Sequence, residues 1–311
     1  MEQYVTSVHL SGYQRRDFEV SDYEMYTLDD TGLSFRGPPI KEVKDGNYFV
    51  CLGAAQTFGC FCEKPYPQLL SSRLNLPVLN LGYGGAGPEF FLKQEQLHEY
   101  INRSKFVVVQ VMSGRSQSNS YYECGGLEYV TIRSNGRKMG ARQAFNELFN
   151  STPLGQFGDN RLVRKIARLK NRSQVKSLVN EIRETWVNNY ISLLERCSVP
   201  VVFFWFSKRE AQYAESYSSL GGLFGEYPQL VNQEMLDQVI SRGPKFVKCV
   251  SRRGDPQPLF SRFTGEPVTV NPETDRFDLA SQEWTHNIYY PTPEMHEDAA
   301  ETLFDTCKSI V

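Results

Sequence analysis

Two glycine-rich turns, each placed after an apolar run of strand length, hold the residues best suited to chemistry in this chain. The first turn contains Gly53 and Ala55, and the second contains Gly84 and Gly85. Glycine lets the backbone approach a ligand closely, and free N–H groups at such turns bind anions or developing negative charge. We therefore expect the segment 53–87 to hold the functional site.

Two arginines could extend this site. Arg115 and Arg209 each lie just past the end of a predicted strand, and a guanidinium group matches the geometry of carboxylate, phosphate or sulfuryl oxygens. Together with the backbone N–H groups of Ala55 and Gly85 they would hold such an anion. The alternative is that both arginines form ordinary surface contacts or ion pairs.

Four further side chains could supply acid–base or nucleophilic chemistry, namely His296, His286, Glu89 and Thr57. The histidines and Glu89 are candidate bases, and Thr57 is a candidate nucleophile. Each also has a structural interpretation. The histidines could pack in the interior, Glu89 could interact with a helix dipole, and Thr57 could cap a helix.

Five apolar runs of strand length must position these groups: 48–52, 76–81, 106–112, 199–206 and 245–251. Continuous apolar runs are typical of parallel strands that are buried on both faces, and helical periodicity between them predicts crossover helices. Ligands bind at the carboxyl ends of strands in such sheets. The sequence thus predicts an α/β domain with a mainly parallel sheet of about five strands and helices on both faces.

The chain divides into two parts on its turn signals. Residues 1–47 are predicted to form a β-rich N-terminal extension with a hairpin around Asp30–Gly32, and residues 48–311 are predicted to form the main domain. The range from about 116 to 160 lacks a sustained period, so we interpret it as an insertion with loops and short helices.

The composition excludes several classes of partner. Charges nearly balance, with 34 basic and 36 acidic residues, so no nucleic-acid or anionic-membrane partner is expected. No run approaches a membrane span and the first residues lack a signal-peptide core, which predicts a cytoplasmic protein. The seven cysteines are expected to be reduced thiols, and no metal site is expected at Cys60 and Cys62. The oligomeric state is left open.

Four sequence blocks stand in the order of a known set of motifs. They read GAAQTFG at 53–59, NLGYGG at 80–85, SGRS at 113–116 and NIYYPT at 287–292. Together they resemble the GDSxTxG, NxGxxG, GxND and DxxHP blocks of the SGNH or GDSL hydrolase superfamily, which comprises three-layer esterases and acyltransferases of flavodoxin-like architecture. The second block matches completely, the first and last match in part, and the third corresponds only in position.

The positions at which the chain departs from this pattern bear most directly on whether it can catalyse hydrolysis. The resemblance places Ala55 at the nucleophilic serine, Asn287 at the catalytic aspartate and Tyr290 at the histidine. Alanine has no hydroxyl group and a tyrosine of pKa near 10 is a poor base at neutral pH, so a degenerate triad is expected. The residues expected to bind the substrate or anion are Gly53, Ala55, Gln56, Asn80, Gly84, Gly85, Arg115, Arg209, Asn287 and Tyr290.

Longer phrases of the sequence, FRGP, GAAQTFG, NLGYGGAGPEFF and YYPTPEMH, also resemble a bacterial family of domains of unknown function. That likeness implies no particular chemistry.

Three functional hypotheses follow. The first is an acyl- or sulfuryl-transferase acting on a carbohydrate or surface-polysaccharide precursor, with a coenzyme A thioester or phosphoadenosine phosphosulfate as donor and one of the candidate bases activating the acceptor. The second is a non-catalytic glycan-binding or scaffolding protein, in which Tyr83, Tyr289 and Tyr290 stack on sugar rings. The third is a hydrolase that uses Thr57 or a cysteine as a substitute nucleophile. The carbohydrate follows from the resemblance and from no single residue.

Overall fold

The computed structural model of the chain describes residues 12–29, 31–150, 161–271 and 283–311. Its first elements are α1 (Gly12–Asp17), β1 (Tyr26–Leu28) and β2 (Leu33–Phe35). β1 and β2 pair antiparallel, with Leu28 opposite Leu33. The turn between them is where the sequence predicts a hairpin, although Asp30 itself lies outside the described residues.

Short strands and helices alternate along the remainder of the chain. The strands are β3 (Phe49–Gly53), β4 (Val78–Gly82), β5 (Val107–Gln110), β6 (Tyr122–Glu123), β7 (Tyr129–Ile132), β8 (Lys138–Gly140), β9 (Val201–Ser207), β10 (Lys245–Val250), β11 (Gln257–Pro258) and β12 (His286–Asn287). The helices are α2 (Ala55–Phe58), α3 (Tyr66–Leu74), α4 (Pro88–Leu92), α5 (Glu95–Asn102), α6 (Ala141–Asn150), α7 (Arg161–Glu195), α8 (Leu220–Phe224), α9 (Gln233–Ile240) and α10 (Pro293–Lys308).

The central sheet has the order β10-β9-β5-β3-β4, and every neighbouring pair in it is parallel. Numbered by their position along the chain, these five strands lie in the order 2-1-3-4-5 when the sheet is viewed from the β4 edge. This is the flavodoxin-like order, in which the first strand lies beside the point where the winding reverses. The predicted α/β fold with a five-stranded parallel sheet is confirmed.

Side chains of β3 point alternately to the two faces of the sheet, and helices cover both faces, which gives three layers. Val50 and Leu52 point to one face, where they join a core that contains side chains of α7 and α9. Phe49 and Cys51 point to the other face, where they join a core that contains side chains of α3 and α10. All five residues of β3 are buried, as its continuous apolar sequence requires.

The range predicted as an insertion contains an antiparallel sheet of β6, β7 and β8 followed by α6. Its apolar side chains pack on the part of α7 that includes Val175, Val179 and Ile182. Residues 151–160 lie outside the described part of the chain, and the division into an extension, a main domain and an insertion stays a prediction. No helix in the described ranges has both the length and the apolarity that crossing a membrane requires.

Candidate functional site

The turn after β3 is held in place by Gln110, a residue of the neighbouring strand β5. The amide oxygen Oε1 of Gln110 accepts hydrogen bonds from the Ala54 N–H at 3.1 Å and from the Thr57 hydroxyl at 2.7 Å. A Cβ at Gly53 would overlap both Thr57 and Gln110, so only glycine fits there. The chain therefore turns sharply into α2. No residue in the described part of the chain accepts a hydrogen bond from the backbone N–H of Ala55.

The second turn is tied to the first by Asn80. Its side-chain oxygen accepts the N–H of Gly82, and its side-chain nitrogen donates to the carbonyl of Thr57, both at 3.0 Å. Gly85 then adopts a positive φ of 76°, which favours glycine, and a Cβ there would lie 2.8 Å from the Glu128 side chain. The N–H of Gly85 likewise has no acceptor among the described residues.

The two turns meet at a small space that we name the inner cavity, lined by Ala55, Gln56, Gly85, Arg115, Glu128, Tyr290 and neighbouring residues. Its volume of about 20 Å³ is enough for one water molecule or one group of similar size. Five of the residues predicted to bind the substrate line it, because they follow the carboxyl ends of strands or lie in the closing segment.

The other predicted site residues lie elsewhere. Gly53, Gly84, Asn80, Asn287, Arg209 and all four candidate catalytic side chains are absent from the lining of the inner cavity.

An ion pair sets the charge of the inner cavity. Arg115 Nη2 donates to a carboxylate oxygen of Glu128 at 2.7 Å, and the two side chains are only 12% and 15% exposed. The lining contains no other charged side chain within the described ranges, so its formal charges cancel. The Nε–H of Arg115 is buried and has no hydrogen-bond acceptor among the described residues. Three residues of the lining, Ala55, Gly85 and Arg115, thus have an N–H group without an acceptor in the described ranges, and the lining has a net charge of zero.

The N-terminal helix α1 closes this region, which the sequence did not suggest. The Tyr13 ring lies 5.4 Å from that of Phe58 and 6.1 Å from that of Tyr290, measured between ring centroids. Arg16 forms a two-fold ion pair with Asp17 and donates to the Tyr290 hydroxyl at 3.3 Å. These contacts explain why so little space remains.

Tyr290, which the sequence resemblance predicts at the position of the superfamily's histidine, is fixed by the same contacts. The Arg16 guanidinium lies 5.2 Å from the centre of its ring. Burial raises the pKa of the Tyr290 phenol above its ordinary value near 10, against the opposing effect of the Arg16 charge. The phenol is therefore protonated at neutral pH and cannot act as a base.

Asn287, which the sequence resemblance predicts at the position of the catalytic aspartate, stabilises the closing turn. Its Oδ1 accepts the N–H groups of Tyr289 and Tyr290, at 3.1 and 2.8 Å, and its Nδ2 donates to the carbonyl of Tyr290 and to Gln257. An amide supplies both donor and acceptor atoms, whereas an ionised carboxylate would supply only acceptors. The side chain is fully buried in this role.

Arg209 lies away from the inner cavity and has no free N–H group. Its five donors are directed at five backbone carbonyls, those of Glu210, Ala211, Glu226, Pro228 and Val231. The guanidinium also stacks on Trp205 and Tyr213, at 5.2 and 4.6 Å from their ring centres. This arginine holds the 226–231 loop against the end of β9.

The two candidate histidines are also remote from the cavity. His296 is fully buried, and its Nδ1 accepts the backbone N–H of Tyr66 at 3.1 Å. Burial lowers the pKa of His296 to about 3, so the ring stays neutral. His286 lies in β12, is exposed, and contacts the hydroxyl of Thr285.

Glu89 and Thr57 are engaged in structural hydrogen bonds. The Glu89 carboxylate accepts the N–H and hydroxyl of Ser118, at 2.7 and 2.8 Å, and pairs with Lys93. The Thr57 hydroxyl is fully buried between Gln110 and the hydroxyl of Tyr66. Among the described residues, the carboxylate that reaches the inner cavity is that of Glu128, which lies within the predicted insertion.

Several solved structures match the chain at low similarity. A protein from Lactobacillus plantarum is 13% identical, with a TM-score of 0.39, and the match covers 86% of this chain and 99% of that one. LAE5, an alpha/beta hydrolase from the metagenome of Lake Arreo, is 10% identical, with a TM-score of 0.39 and coverages of 86% and 97%. A catalytic mutant of Axe2, an acetylxylan esterase from Geobacillus stearothermophilus, is 10% identical, with a TM-score of 0.35 and coverages of 85% and 94%. No conclusion about chemistry follows from similarities of this size.

Sequence comparison gives a clearer result. No curated protein matches the chain at a significant level. One family model, however, matches residues 12–311, which include α1 as well as both glycine turns and the closing segment. The elements that form and close the inner cavity therefore fall within a single family unit. The chain belongs to the domain of unknown function family DUF6473.

Proposed function

We propose that this chain is a non-hydrolytic binding protein for an acylated carbohydrate, whose acyl carbonyl oxygen occupies the inner cavity. The observation that carries this proposal is the set of three unpartnered N–H groups on Ala55, Gly85 and Arg115. A carbonyl oxygen has two lone pairs and accepts such donors without bringing a charge into the cavity. The carbohydrate as carrier follows the analogy with the SGNH superfamily and no particular residue.

The charge balance supports a neutral group over an anion. Arg115 is the cation on the inner cavity, and Glu128 already neutralises it at 2.7 Å. A phosphate or sulfuryl group would meet the Glu128 carboxylate in a partly buried site, where repulsion between like charges is weakly screened. A carbonyl oxygen avoids this repulsion. Phosphoadenosine phosphosulfate is therefore disfavoured as a ligand of the inner cavity.

The absence of suitable reactive groups at the superfamily's positions supports binding over hydrolysis. Ala55 offers no nucleophilic oxygen, and Tyr290 is a protonated phenol bonded to Arg16. Asn287 uses its amide within its own turn. This is the arrangement expected of a degenerate triad, in which the backbone donors of an oxyanion site are retained without the groups that attack and transfer protons.

Direct acyl transfer is the second candidate, and the position of Glu128 favours it. A carboxylate beside Gly85 could accept the proton of an acceptor hydroxyl while that oxygen attacks a coenzyme A thioester bound at the free N–H groups. The new C–O bond would replace the C–S bond, and the proton accepted by Glu128 would pass through solvent to the departing thiolate. Glu128 would thus replace the four bases and nucleophiles suggested by the sequence.

Binding of matched sugars by calorimetry tests the first candidate. N-acetylglucosamine carries an acyl group that glucose lacks, and we expect the wild-type protein to prefer it. Arg115→Lys can keep the ion pair with Glu128 but has no Nε–H, so it should lose a factor of about ten in this preference, equivalent to one hydrogen bond of roughly 1.4 kcal/mol. Arg137→Lys, at an exposed pair with Glu147, is the matched control and should change nothing. Equal affinity for the two sugars in wild type would exclude the proposed carbonyl site.

The second candidate needs a separate measurement. Wild-type protein, acetyl coenzyme A and glucose are incubated, and acetylated sugar is sought by mass spectrometry. Product that disappears in Glu128→Gln would establish transfer with this carboxylate as base. Absence of product, together with preferential binding of N-acetylglucosamine, would leave the binding function.

A further inference from the structure

A second space, which we name the outer pocket, lies at the carboxyl end of β9. Its lining includes Gln56, Phe206, Tyr227, Gln229, Ile288 and Tyr289, and its volume is about 230 Å³. Gln56, Tyr227 and Tyr289 also line the inner cavity, so the two spaces are neighbours. The volume is below the range of roughly 300 to 1,000 Å³ that holds drug-sized ligands, which limits a ligand to about one ring.

Two buried acceptor atoms without partners distinguish this pocket. Gln56 and Gln229 are 2% and 5% exposed, and within the described ranges the Oε1 atom of each has no hydrogen-bond partner. Gln229 is held in place because its Nε2 donates to the hydroxyl of Tyr289 at 3.1 Å. Buried polar atoms are nearly always hydrogen-bonded in native proteins, so two orphaned oxygens in one pocket point to a ligand that donates hydrogen bonds.

Three charged side chains of the described residues line the pocket, those of Arg142, Lys208 and Glu226, and each has a partner within the protein. The Arg142 guanidinium lies 5.8 Å from the centre of the Phe224 ring. Lys208 pairs with Asp255 at 2.7 Å and also donates to the carbonyl of Ile288. Glu226 is paired with Arg252. An added charge would have to compete with these pairs, whereas a neutral donor needs only the two glutamine oxygens.

We propose that the outer pocket binds a monosaccharide ring, with one hydroxyl donating to Gln56 Oε1 and another to Gln229 Oε1. A sugar ring presents hydroxyl donors around its edge and C–H groups on its faces. The apolar faces of Tyr227 and Tyr289 and the side chain of Ile288 supply surface for those C–H groups. This inference rests on the proposed function, because the ring would carry the acyl group that reaches the inner cavity.

Methionine variants test the two oxygens with little change of side-chain length. Gln56→Met removes an orphaned polar atom, so its unfolding midpoint should stay the same or rise. Gln229→Met removes an orphaned oxygen but also the hydrogen bond to the Tyr289 hydroxyl, so its midpoint should change little. Affinity for the preferred sugar among glucose, galactose, mannose and xylose should fall about tenfold in each variant, because one hydrogen bond is lost. Gln238→Met, on the exposed face of α9, is the matched control and should bind as wild type does.

The outcomes separate this inference from the proposed function. None of the four sugars has an acyl group, so their binding depends on the outer pocket and should be unaffected by Arg115→Lys. Failure of wild type to bind any of them, or equal binding by wild type and folded Gln229→Met, overturns the sugar subsite. That result would mean that only water donates hydrogen bonds to the Oε1 atoms of Gln56 and Gln229. Loss of the acyl preference with sugar binding intact would instead overturn the inner-cavity proposal.

Discussion

Replacement of Arg209 tests whether a strand-end arginine serves the structure or a ligand. In the structure its guanidinium donates to five backbone carbonyls, three of which, on Ala211, Pro228 and Val231, accept partly buried bonds. Arg209→Ala leaves those carbonyls without their donor. The remaining two bonds lie at the surface, where water can replace the arginine.

The expected loss of stability follows from these contacts. Each partly buried bond contributes about 1 kcal/mol, and the stacking on Trp205 and Tyr213 adds about 0.5 kcal/mol for each ring. We therefore expect Arg209→Ala to lower the free energy of unfolding by about 4 kcal/mol. Arg209→Lys keeps the charge but offers at most three donors from a single atom, so about half of that loss is expected.

Urea denaturation of the three proteins, followed by circular dichroism, measures this series, with unchanged m-values as the check on two-state behaviour. N-acetylglucosamine affinity of Arg209→Lys should equal that of wild type, because the side chain does not line the inner cavity. A loss below about 1 kcal/mol in Arg209→Ala, the size of an ordinary surface substitution, would refute the structural role. Weaker binding by Arg209→Lys under conditions in which the variant is fully folded would indicate that Arg209 contacts the ligand.

Three further substitutions test neighbouring assignments. His296 has a folded pKa of about 3 against about 6.5 when unfolded, so its contribution to stability is complete above pH 6.5 and declines as the pH falls. We expect a loss of about 2 kcal/mol between pH 6.5 and pH 5 that is missing from His296→Asn in urea titrations, and an unchanged pH dependence in the variant would contradict the buried neutral ring. Ala55→Ser should hydrolyse p-nitrophenyl acetate no faster than wild type, since Tyr290 is a protonated phenol and the Glu128 carboxylate is paired with Arg115, and a tenfold increase would disprove this. Thr57→Val should lower the free energy of unfolding by about 2 kcal/mol through its lost bonds to Gln110 and Tyr66, whereas loss of a hydrolytic activity in this variant would identify a nucleophile.

The predictable part of the site follows from strand direction. Continuous apolar runs place β3, β4 and β5 side by side, and in a parallel sheet their carboxyl ends share one edge. Ala55, Gly85 and Arg115 lie two, three and five residues beyond those ends, so the order of the strands brings them to the same edge of the sheet. Tyr290 joins them through the closing segment, as the superfamily's motif order implies.

The position of a residue after a strand end does not determine the direction of its side chain. Arg115 and Arg209 both follow strand ends, by five residues after β5 and by two after β9, yet one lines the inner cavity and the other turns to the 226–231 loop. The difference comes from unpaired loop carbonyls, which depend on a loop conformation that a single sequence does not encode locally. Glu128 lies in the predicted insertion, where the apolar residues follow no regular spacing that would indicate which side chain faces Gly85.

The sequence does not predict that α1 closes the inner cavity, for a related reason. Arg16 and Tyr290 are 274 residues apart, and a short polar helix near the start of a chain has no periodicity that names its partner. The consequence is nevertheless large, because these contacts leave a cavity of only about 20 Å³ between the two glycine turns. That volume holds a single carbonyl group at the end of a ligand seated outside.

Polarity is divided between the two spaces in a way that favours one ligand across both. The inner cavity has unpartnered donors, on Ala55, Gly85 and Arg115, and the outer pocket has unpartnered acceptors, on Gln56 and Gln229. Each buried polar group left without a partner costs roughly 1 to 3 kcal/mol, so a fold that only packed would gain from replacing them. A ligand with an acyl carbonyl at one end and hydroxyl donors at the other satisfies both sets at once. A simple anion would satisfy the donors alone, and a bare sugar the acceptors alone.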